Sequence, residues 1–112
     1  MKASDIALTI LPQDDKRKRR PVLILAQMPG FGDFLVCAIS TQLHQFINGF
    51  DLGLEKNDSS FGDTGLLENS LIRLSNLAVI PSQDIVGVIG KLEIDKFNFL
   101  IKNLTTHLLK RE

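Results

Sequence analysis

The spacing of apolar and polar positions predicts a series of short β-strands followed by one helix. Short apolar runs with β-branched members, bounded by Pro, Gly or polar residues, have the length and composition of strands. The run PVLILAQ is continuously apolar up to its last residue, which indicates a strand covered on both faces. The predicted strands span residues 5–11, 21–27, 34–40, 69–80 and 84–94.

The connections between these strands differ in length and composition. Residues 28–33, MPGFGD, have the composition of a turn. Residues 48–65 are rich in Gly, Asp, Asn and Ser and form a long excursion with a possible strand at 51–56. Gly87 and Gly90 interrupt the last β-type run, which predicts bends or a bulge there.

The C-terminal segment changes from a period of two to the period of an amphipathic helix. Asp95 is the expected N-cap, and the cations near residue 110 suit the negative end of the helix dipole. Several strands and a terminal helix predict a small β-barrel or curled sheet with the helix packed on it. The apolar face of the helix comprises Phe97, Leu100, Ile101, Leu104 and Leu108.

Composition narrows the class of protein without naming a function. The 112 residues fit one domain, expected to span 1–112, and a formal net charge of zero gives no global attraction to nucleic acid. The single cysteine, Cys37, excludes an internal disulfide and is expected to be a small buried hydrophobe. The N-terminus lacks the long apolar segment of a signal peptide, so we expect a cytoplasmic protein.

Charge is nevertheless concentrated at one place. Five of the thirteen Lys and Arg residues lie in the run 16–20, immediately before Pro21. The proline disfavours helical geometry at Arg20, which would hold that guanidinium at the mouth of a buried strand, where it can bind a phosphate. The alternative for the run as a whole is a solvated loop.

The stretch ISTQLHQ, residues 39–45, offers hydroxyl, amide and imidazole groups. Strand alternation places Ser40 on one face and, if the strand persists that far, Thr41 on the other, in which case both hydroxyls are not expected in one cleft. The alternative for both is a simple role in a turn. His44 can exchange protons near neutral pH, or it is an ordinary exposed histidine.

Arg73 interrupts the apolar strand 69–80. A period of two places Leu71, Arg73 and Ser75 on one face of that strand. The arginine either blunts a sheet edge or faces a charged ligand. His107 lies in the last turn of the helix, where we expect a structural role. The sequence contains no metal-ligand spacing, phosphate loop or nucleophile elbow, so no cofactor is expected.

Four ordered segments carry a resemblance to a known family. KRRPVLILAQ, DFLVCAISTQ, GLLENSLIRLSNLAVI and the terminal helix resemble the MazF/PemK toxin–antitoxin endoribonucleases, roughly over residues 4 to 109. The resemblance implies an SH3-like β-barrel and a homodimer. It also implies an mRNA interferase that cuts single-stranded RNA without a metal, leaving a cyclic phosphate and a 5′ hydroxyl. The expected partner is a small antitoxin that blocks the RNA groove.

The resemblance also assigns roles to residues. It implies that Arg20 contacts the scissile phosphate, that Ser40 lies at the catalytic centre, and that Arg73 acts as acid or transition-state clamp. Ser75 stands where some members have a catalytic aspartate, and Asp14 or Asp15 could supply the acidic residue of the preceding loop. The family's usual Arg-Gly before the first strand is absent. The expected RNA-binding residues are Lys16, Arg17, Lys18, Arg19, Thr41, Gln42 and His44.

Serine at position 75 leaves the general base open. Cleavage by the ribose 2′ hydroxyl needs a base, and losing one costs about 100- to 10,000-fold in rate. Either Asp15 or His44 takes that role, or activity is weak or lost. The leading hypothesis is therefore an endoribonuclease toxin, and the alternative is a weakened or inactive module of the same fold that binds nucleic acid or antitoxin. A third reading is a structural subunit with no nucleic-acid role, favoured only by the zero net charge.

Overall fold

A computed structural model describes residues 1–11 and 18–110, and in these ranges the predicted strands and helix are all present. The terminal helix α1 spans Ile94–Leu109, and it is too short and too polar to cross a membrane, as are the other described helices. Short 3₁₀ turns span Leu43–Gln45, Phe61–Thr64 and Ser82–Asp84. The strands are β1 (Asp5–Thr9), β2 (Arg20–Gln27), β3 (Phe34–Ser40), β4 (Leu52–Leu54), β5 (Ser70–Ile80) and β6 (Ile85–Lys91).

The boundaries of two elements differ from the prediction. The last strand ends at Lys91 because Ile94 already begins the helix. Glu93 occupies the N-cap position, so the expected cap at Asp95 is wrong, and Asp95 lies in the first turn instead. An acid there still suits the positive end of the helix dipole.

The six strands form one antiparallel sheet in the order β4-β5-β3-β2-β1-β6. The predicted class, mainly β with a C-terminal helix, is confirmed. Closure into a barrel is not observed, because β4 and β6 lie at opposite ends of the sheet and do not pair in the described part of the chain.

Alternate residues of the central strands feed two separate cores. On one face Leu23 of β2 and Cys37 of β3 pack with the helix residues Phe97 and Leu100. The other face holds a second core that includes Val22, Ile24, Val36 and Ala38. The prediction that the 21–27 strand is covered on both faces is thus confirmed.

Cys37 is the buried hydrophobe that the sequence predicts. Its side chain belongs to the core beneath the helix and has no exposed surface. Burial raises the pKa of its thiol to about 12, and the nearby charge of Asp51 contributes. The thiol therefore stays protonated and unreactive near neutral pH.

Gly90 of β6 and Gly65, which follows the 3₁₀ turn at 61–64, allow β6 to approach this turn. The register between β1 and β6 slips where β6 carries Ile89 and Val86, beside Gly90 and Gly87, as predicted. A Cβ atom on Gly90 would collide with the backbone of Asp63 and Thr64. A Cβ atom on Gly65, whose φ is 74°, would likewise collide with the backbone of Ile89.

An ion pair fixes the polar excursion to the start of α1. The carboxylate of Asp58 accepts the N–H and the O–H of Ser60, both at 2.8 Å, and pairs with Nζ of Lys96 at 3.0 Å. Lys96 also donates to Oγ of Ser60 at 3.1 Å. The N–H of Ser60, its hydroxyl and then Lys96 lower the pKa of Asp58 to about 2.

Replacing Gly90 by alanine should destabilise the protein by about 1–3 kcal/mol, because the new methyl group overlaps backbone that has no free rotamer to move. Gly87→Ala is the matched control, since a Cβ at Gly87 meets nothing within 4 Å. Urea unfolding of both variants measures the difference. Equal stability of the two variants would contradict the close approach.

Asp58→Asn should lower stability at pH 6 but have little effect at pH 2. The folded pKa lies near 2, below the ordinary 3.8, so the carboxylate stabilises the fold above about pH 3.8. That contribution is lost as the pH falls through 2. Thermal unfolding between pH 6 and pH 2 should show the two midpoints converging. A constant difference across this range would show that the charge of Asp58 is not responsible.

Candidate functional site

A cleft of about 380 Å³ opens where β2 begins and β3 ends. The sheet register explains which side chains meet there. Val22 faces Ala38, so Arg20 and Ser40, each two residues further along, come together on the same face. Ala38 in turn pairs with Arg73 of β5. The described lining comprises Leu11, Arg20, Pro21, Ala38, Ile39, Ser40, Thr41, Gln42, Gln45, Ser70, Arg73 and Asn76.

Arg73 presents a donor that has no acceptor. Its Nε is buried and makes no hydrogen bond within the described residues, although the side chain as a whole is half-buried. A buried unpaired donor costs about 1–3 kcal/mol, and more when it is charged. Arg73 also lines the cleft, where a guanidinium can bind a phosphate because the two match in geometry and charge.

Arg20 is the first residue of β2, as its position before Pro21 predicts. It pairs in register with Thr9 of β1, and the buried Val22 anchors the strand immediately behind it. Its side chain is exposed and lines the cleft. Two guanidinium groups, on the strands β2 and β5 that lie on either side of β3, make this cleft the candidate anion-binding site.

Ser40 and Thr41 both line the cleft, and the condition for placing Thr41 on the other face, a strand that continues past Ser40, is not met. Strand β3 ends at Ser40, and strand alternation no longer governs Thr41. The backbone N–H of Gln42 donates to Oγ of Ser40 at 3.0 Å, which turns the chain. Ser40 is therefore a turn former and a cleft residue at once.

Ser75 lies elsewhere because β5 carries a bulge. Cys37 pairs with Leu77, but the next residue, Ala38, pairs with Arg73, so residues 74–76 have no partners on β3 in the register. This segment is called the 74–76 bulge below. Asn76 joins Arg73 in the cleft, whereas Ser75 is exposed. The prediction that Ser75 shares a face with Arg73 is wrong.

The groove that contains Ser75 lies between the bulge and the C-terminal half of α1. Its volume is about 730 Å³, and its lining includes Phe50, Leu77, His107 and Leu108. The ring of His107 contacts that of Phe50 at 5.3 Å between centroids, which agrees with the structural role expected for this histidine. Ser75 and the two arginines therefore belong to different surfaces.

Of the residues expected to bind RNA, Thr41 and Gln42 line the cleft, whereas Lys18, Arg19 and His44 are not part of its described lining. Lys18 and Arg19 are exposed beside it, and His44 is exposed in the 3₁₀ turn Leu43–Gln45. Asp14, Asp15, Lys16 and Arg17 lie outside the described residues.

Sequence reasoning missed three polar residues of the cleft: Gln45, Ser70 and Asn76. Gln45 enters through the turn after β3 and Asn76 through the bulge, and neither is visible in a regular alternation. Ser70, at the first position of β5, donates its hydroxyl to the carbonyl of Glu68 at 2.7 Å. The described lining thus offers two guanidiniums, hydroxyls and amides, and includes no carboxylate or imidazole.

Fold and cleft together define a small antiparallel-sheet protein with a site suited to a phosphodiester. Residues 2–108 match the family model described as PemK-like, MazF-like toxin of type II toxin–antitoxin system. The chain therefore belongs to this toxin family, and the resemblance read from its sequence is confirmed. No curated protein matches the chain.

Two solved structures share the fold. The Mycobacterium tuberculosis toxin MazF-mt6 has a TM-score of 0.71 and 22% identity, covering 96% of this chain and 99% of its own. A mycobacterial endoribonuclease in complex with its cognate antitoxin has a TM-score of 0.72 and 13% identity, covering 100% and 99%. At these identities the similarity concerns the fold.

Arg73→Gln should weaken binding of a single-stranded RNA analogue that carries 2′-O-methyl groups, which prevent cleavage. Losing one charge-assisted hydrogen bond costs about 1.5–3 kcal/mol, so we expect roughly ten- to hundredfold weaker binding. Fluorescence anisotropy at low salt measures it. Lys91→Gln, an exposed cation at the end of β6, is the control. Equal losses in both variants would point to general charge attraction instead of this cleft.

Proposed function

We propose that this chain is the toxin of a type II toxin–antitoxin pair and acts as an endoribonuclease that cuts single-stranded RNA without a metal ion. The observation that carries the proposal is the meeting of Arg20, Ser40 and Arg73 in one cleft, with Nε of Arg73 buried and unpaired. Membership of the MazF-like toxin family supports it. A mycobacterial endoribonuclease of the same fold supports it further.

The proposed reaction uses the substrate's own hydroxyl as nucleophile. The ribose O2′ forms a bond to the adjacent phosphorus, and the bond from phosphorus to O5′ breaks. A base takes the 2′ proton, and an acid protonates the leaving O5′, giving a cyclic phosphate and a 5′ hydroxyl. Arg20 and Arg73 neutralise the charge that accumulates on the phosphorane. Ser40 and Thr41 orient the phosphate or ribose through their hydroxyls.

We assign the general base to Asp15. The described lining residues include no carboxylate or imidazole, and Asp15 belongs to the segment that joins Leu11 to Arg20, both of which line the cleft. His44 is the second candidate, since it follows Gln42 by two residues but does not line the cleft itself. The remaining basic-run residues, Lys16 to Arg19, would hold flanking phosphates.

The second candidate function is a catalytically weakened or inactive module that binds RNA or an antitoxin. The specific observation in its favour is again the absence of a carboxylate or imidazole among the described lining residues. Such a module would bind RNA in a salt-dependent way without cutting it.

A cognate antitoxin and a second copy of the chain are the proposed protein partners. One structural neighbour is an endoribonuclease bound to its cognate antitoxin, which supports the first. Exposed apolar side chains on β5 and at the end of α1 support an additional protein contact, because exposed apolar surface favours association. They include Leu77, Val79, Leu108 and Leu109. A cytoplasmic location would give the toxin access to messenger RNA.

Purified protein should cleave single-stranded RNA in the presence of EDTA, and Arg20→Ala should slow cleavage by about 100- to 1,000-fold through the loss of transition-state charge stabilisation. Lys91→Ala, which removes an exposed cation at the end of β6 outside the cleft lining, should cut almost normally. Gel analysis of 5′-labelled RNA checks the products. When expressed in cells, the wild type and the control variant should arrest growth, whereas Arg20→Ala should not.

The controls distinguish the candidate functions. Equal cutting by wild type and Arg20→Ala would reveal a contaminating nuclease and contradict the catalytic assignment. Intact RNA with salt-dependent binding would replace the enzyme by the binding module. Intact RNA and binding that does not depend on salt would exclude the enzyme and the RNA-binding form of the module.

A further inference from the structure

Asp51 carries a buried carboxylate that the reaction does not use. We propose that Asp51 is a positioning residue, whose carboxylate fixes the 74–76 bulge against the segment after β3 and thereby aims Arg73 into the cleft. The role of that aim in RNA binding and cleavage rests on the proposed function. The arrangement itself stands on the geometry of described residues.

The two oxygens of this carboxylate bind two distant parts of the chain. Oδ1 accepts the N–H of Leu74 at 3.0 Å, and Oδ2 accepts the N–H of Ile47 at 3.1 Å. Only 2% of Asp51 is exposed. A buried ionised group is expensive unless its oxygens are satisfied, and here each has a backbone donor.

The first of these bonds replaces a missing ladder contact. Leu74 lies in the part of β5 that has no partner on β3 and beyond the part that pairs with β4, and its N–H donates to Asp51 instead of to a strand carbonyl. Leu74 directly follows Arg73, and the bulge brings Asn76 back into the cleft. The carboxylate thus stabilises the irregular backbone on which both cleft side chains depend.

The second bond fixes the segment that forms the opposite wall. Ile47 lies two residues after the 3₁₀ turn Leu43–Gln45. Gln42, which precedes this turn, and Gln45, its last residue, both line the cleft. The N–H of Asp51 donates back to the carbonyl of Ile47 at 3.0 Å. Backbone and side chain of one residue therefore close the loop from 47 to 51.

Asp51 does not fit the role of the missing general base. Both oxygens accept hydrogen bonds, only 2% of the residue is exposed, and it is not part of the described cleft lining. Its charge also acts on Cys37, which pairs with Leu77 at the edge of the bulge, consistent with a position beneath the sheet. Its effect on the chemistry must pass through the backbone.

The test compares Asp51→Asn with Asp58→Asn. Asp58 is the matched control because it lies in the same excursion, also accepts a backbone N–H and does not line the cleft. In ¹⁵N-resolved NMR spectra, Asp51→Asn should shift the amides of Ile47 and Leu74 and the Nε–H of Arg73. Asp58→Asn should shift only signals near Ser60 and Lys96. Asp51→Glu, which keeps the charge but moves it by one methylene, serves if Asp51→Asn does not fold.

Function provides the second measurement, made on variants that are fully folded at the assay temperature. Asp51→Asn should bind the 2′-O-methyl RNA analogue roughly tenfold more weakly, as expected for one compromised charge-assisted bond. It should lower kcat by about 100-fold, as a misplaced catalytic group does. Asp58→Asn should leave both quantities near wild type.

The outcomes separate the inference from the proposed function. If the Arg73 and Leu74 signals stay in place in Asp51→Asn, or both variants lose equal activity at equal stability, Asp51 is merely structural and the inference is overturned. Wild type that neither binds nor cuts RNA would count against the proposed function. The spectra would still decide whether Asp51 positions Arg73.

Discussion

The interruption of the β3–β5 ladder is the constraint on which the rest of the site depends. Up to Cys37 the two strands pair regularly, and after it β5 advances by three unpaired residues before Arg73 meets Ala38. With strict alternation along β5, Ser75 would share a face with Arg73, and Asn76 would lie on the opposite face from Arg73. The irregularity costs ladder hydrogen bonds, and the buried carboxylate of Asp51 supplies one acceptor in return.

The two arginines of the cleft both lie on strands of the sheet. Arg20 is the first residue of a strand whose next members are buried in two cores, and Arg73 is within β5. A guanidinium on a sheet loses little conformational freedom when it binds phosphate, because its backbone is already fixed. In the sequence, charge density distinguishes the whole run at 16–20. In the structure, Arg20 is the described member of this run that belongs to a strand.

Regular periodicity made most of the fold predictable. Continuous apolar strands, the glycines of β6 and the apolar stripe of α1 all follow directly from residue spacing, and Pro21 identified the start of β2. At the site, the structure departs from strand alternation where the chain leaves a regular pattern, at Thr41 after β3 and at Ser75 in the bulge. Both depend on hydrogen bonds to atoms distant in sequence or outside the strand, which alternation does not encode.

The polar excursion, which by composition resembles a simple loop, serves as a framework for the site. Its polar groups bind two other elements: Asp51 binds β5, Asp58 binds Lys96 of α1, and the carbonyl of Phe50 accepts from Asn103 of α1 at 3.0 Å. Aspartate, asparagine and serine suit this purpose because short side chains reach nearby backbone at low entropic cost. The same composition that favours turns in sequence thus fixes one wall of the cleft against the sheet.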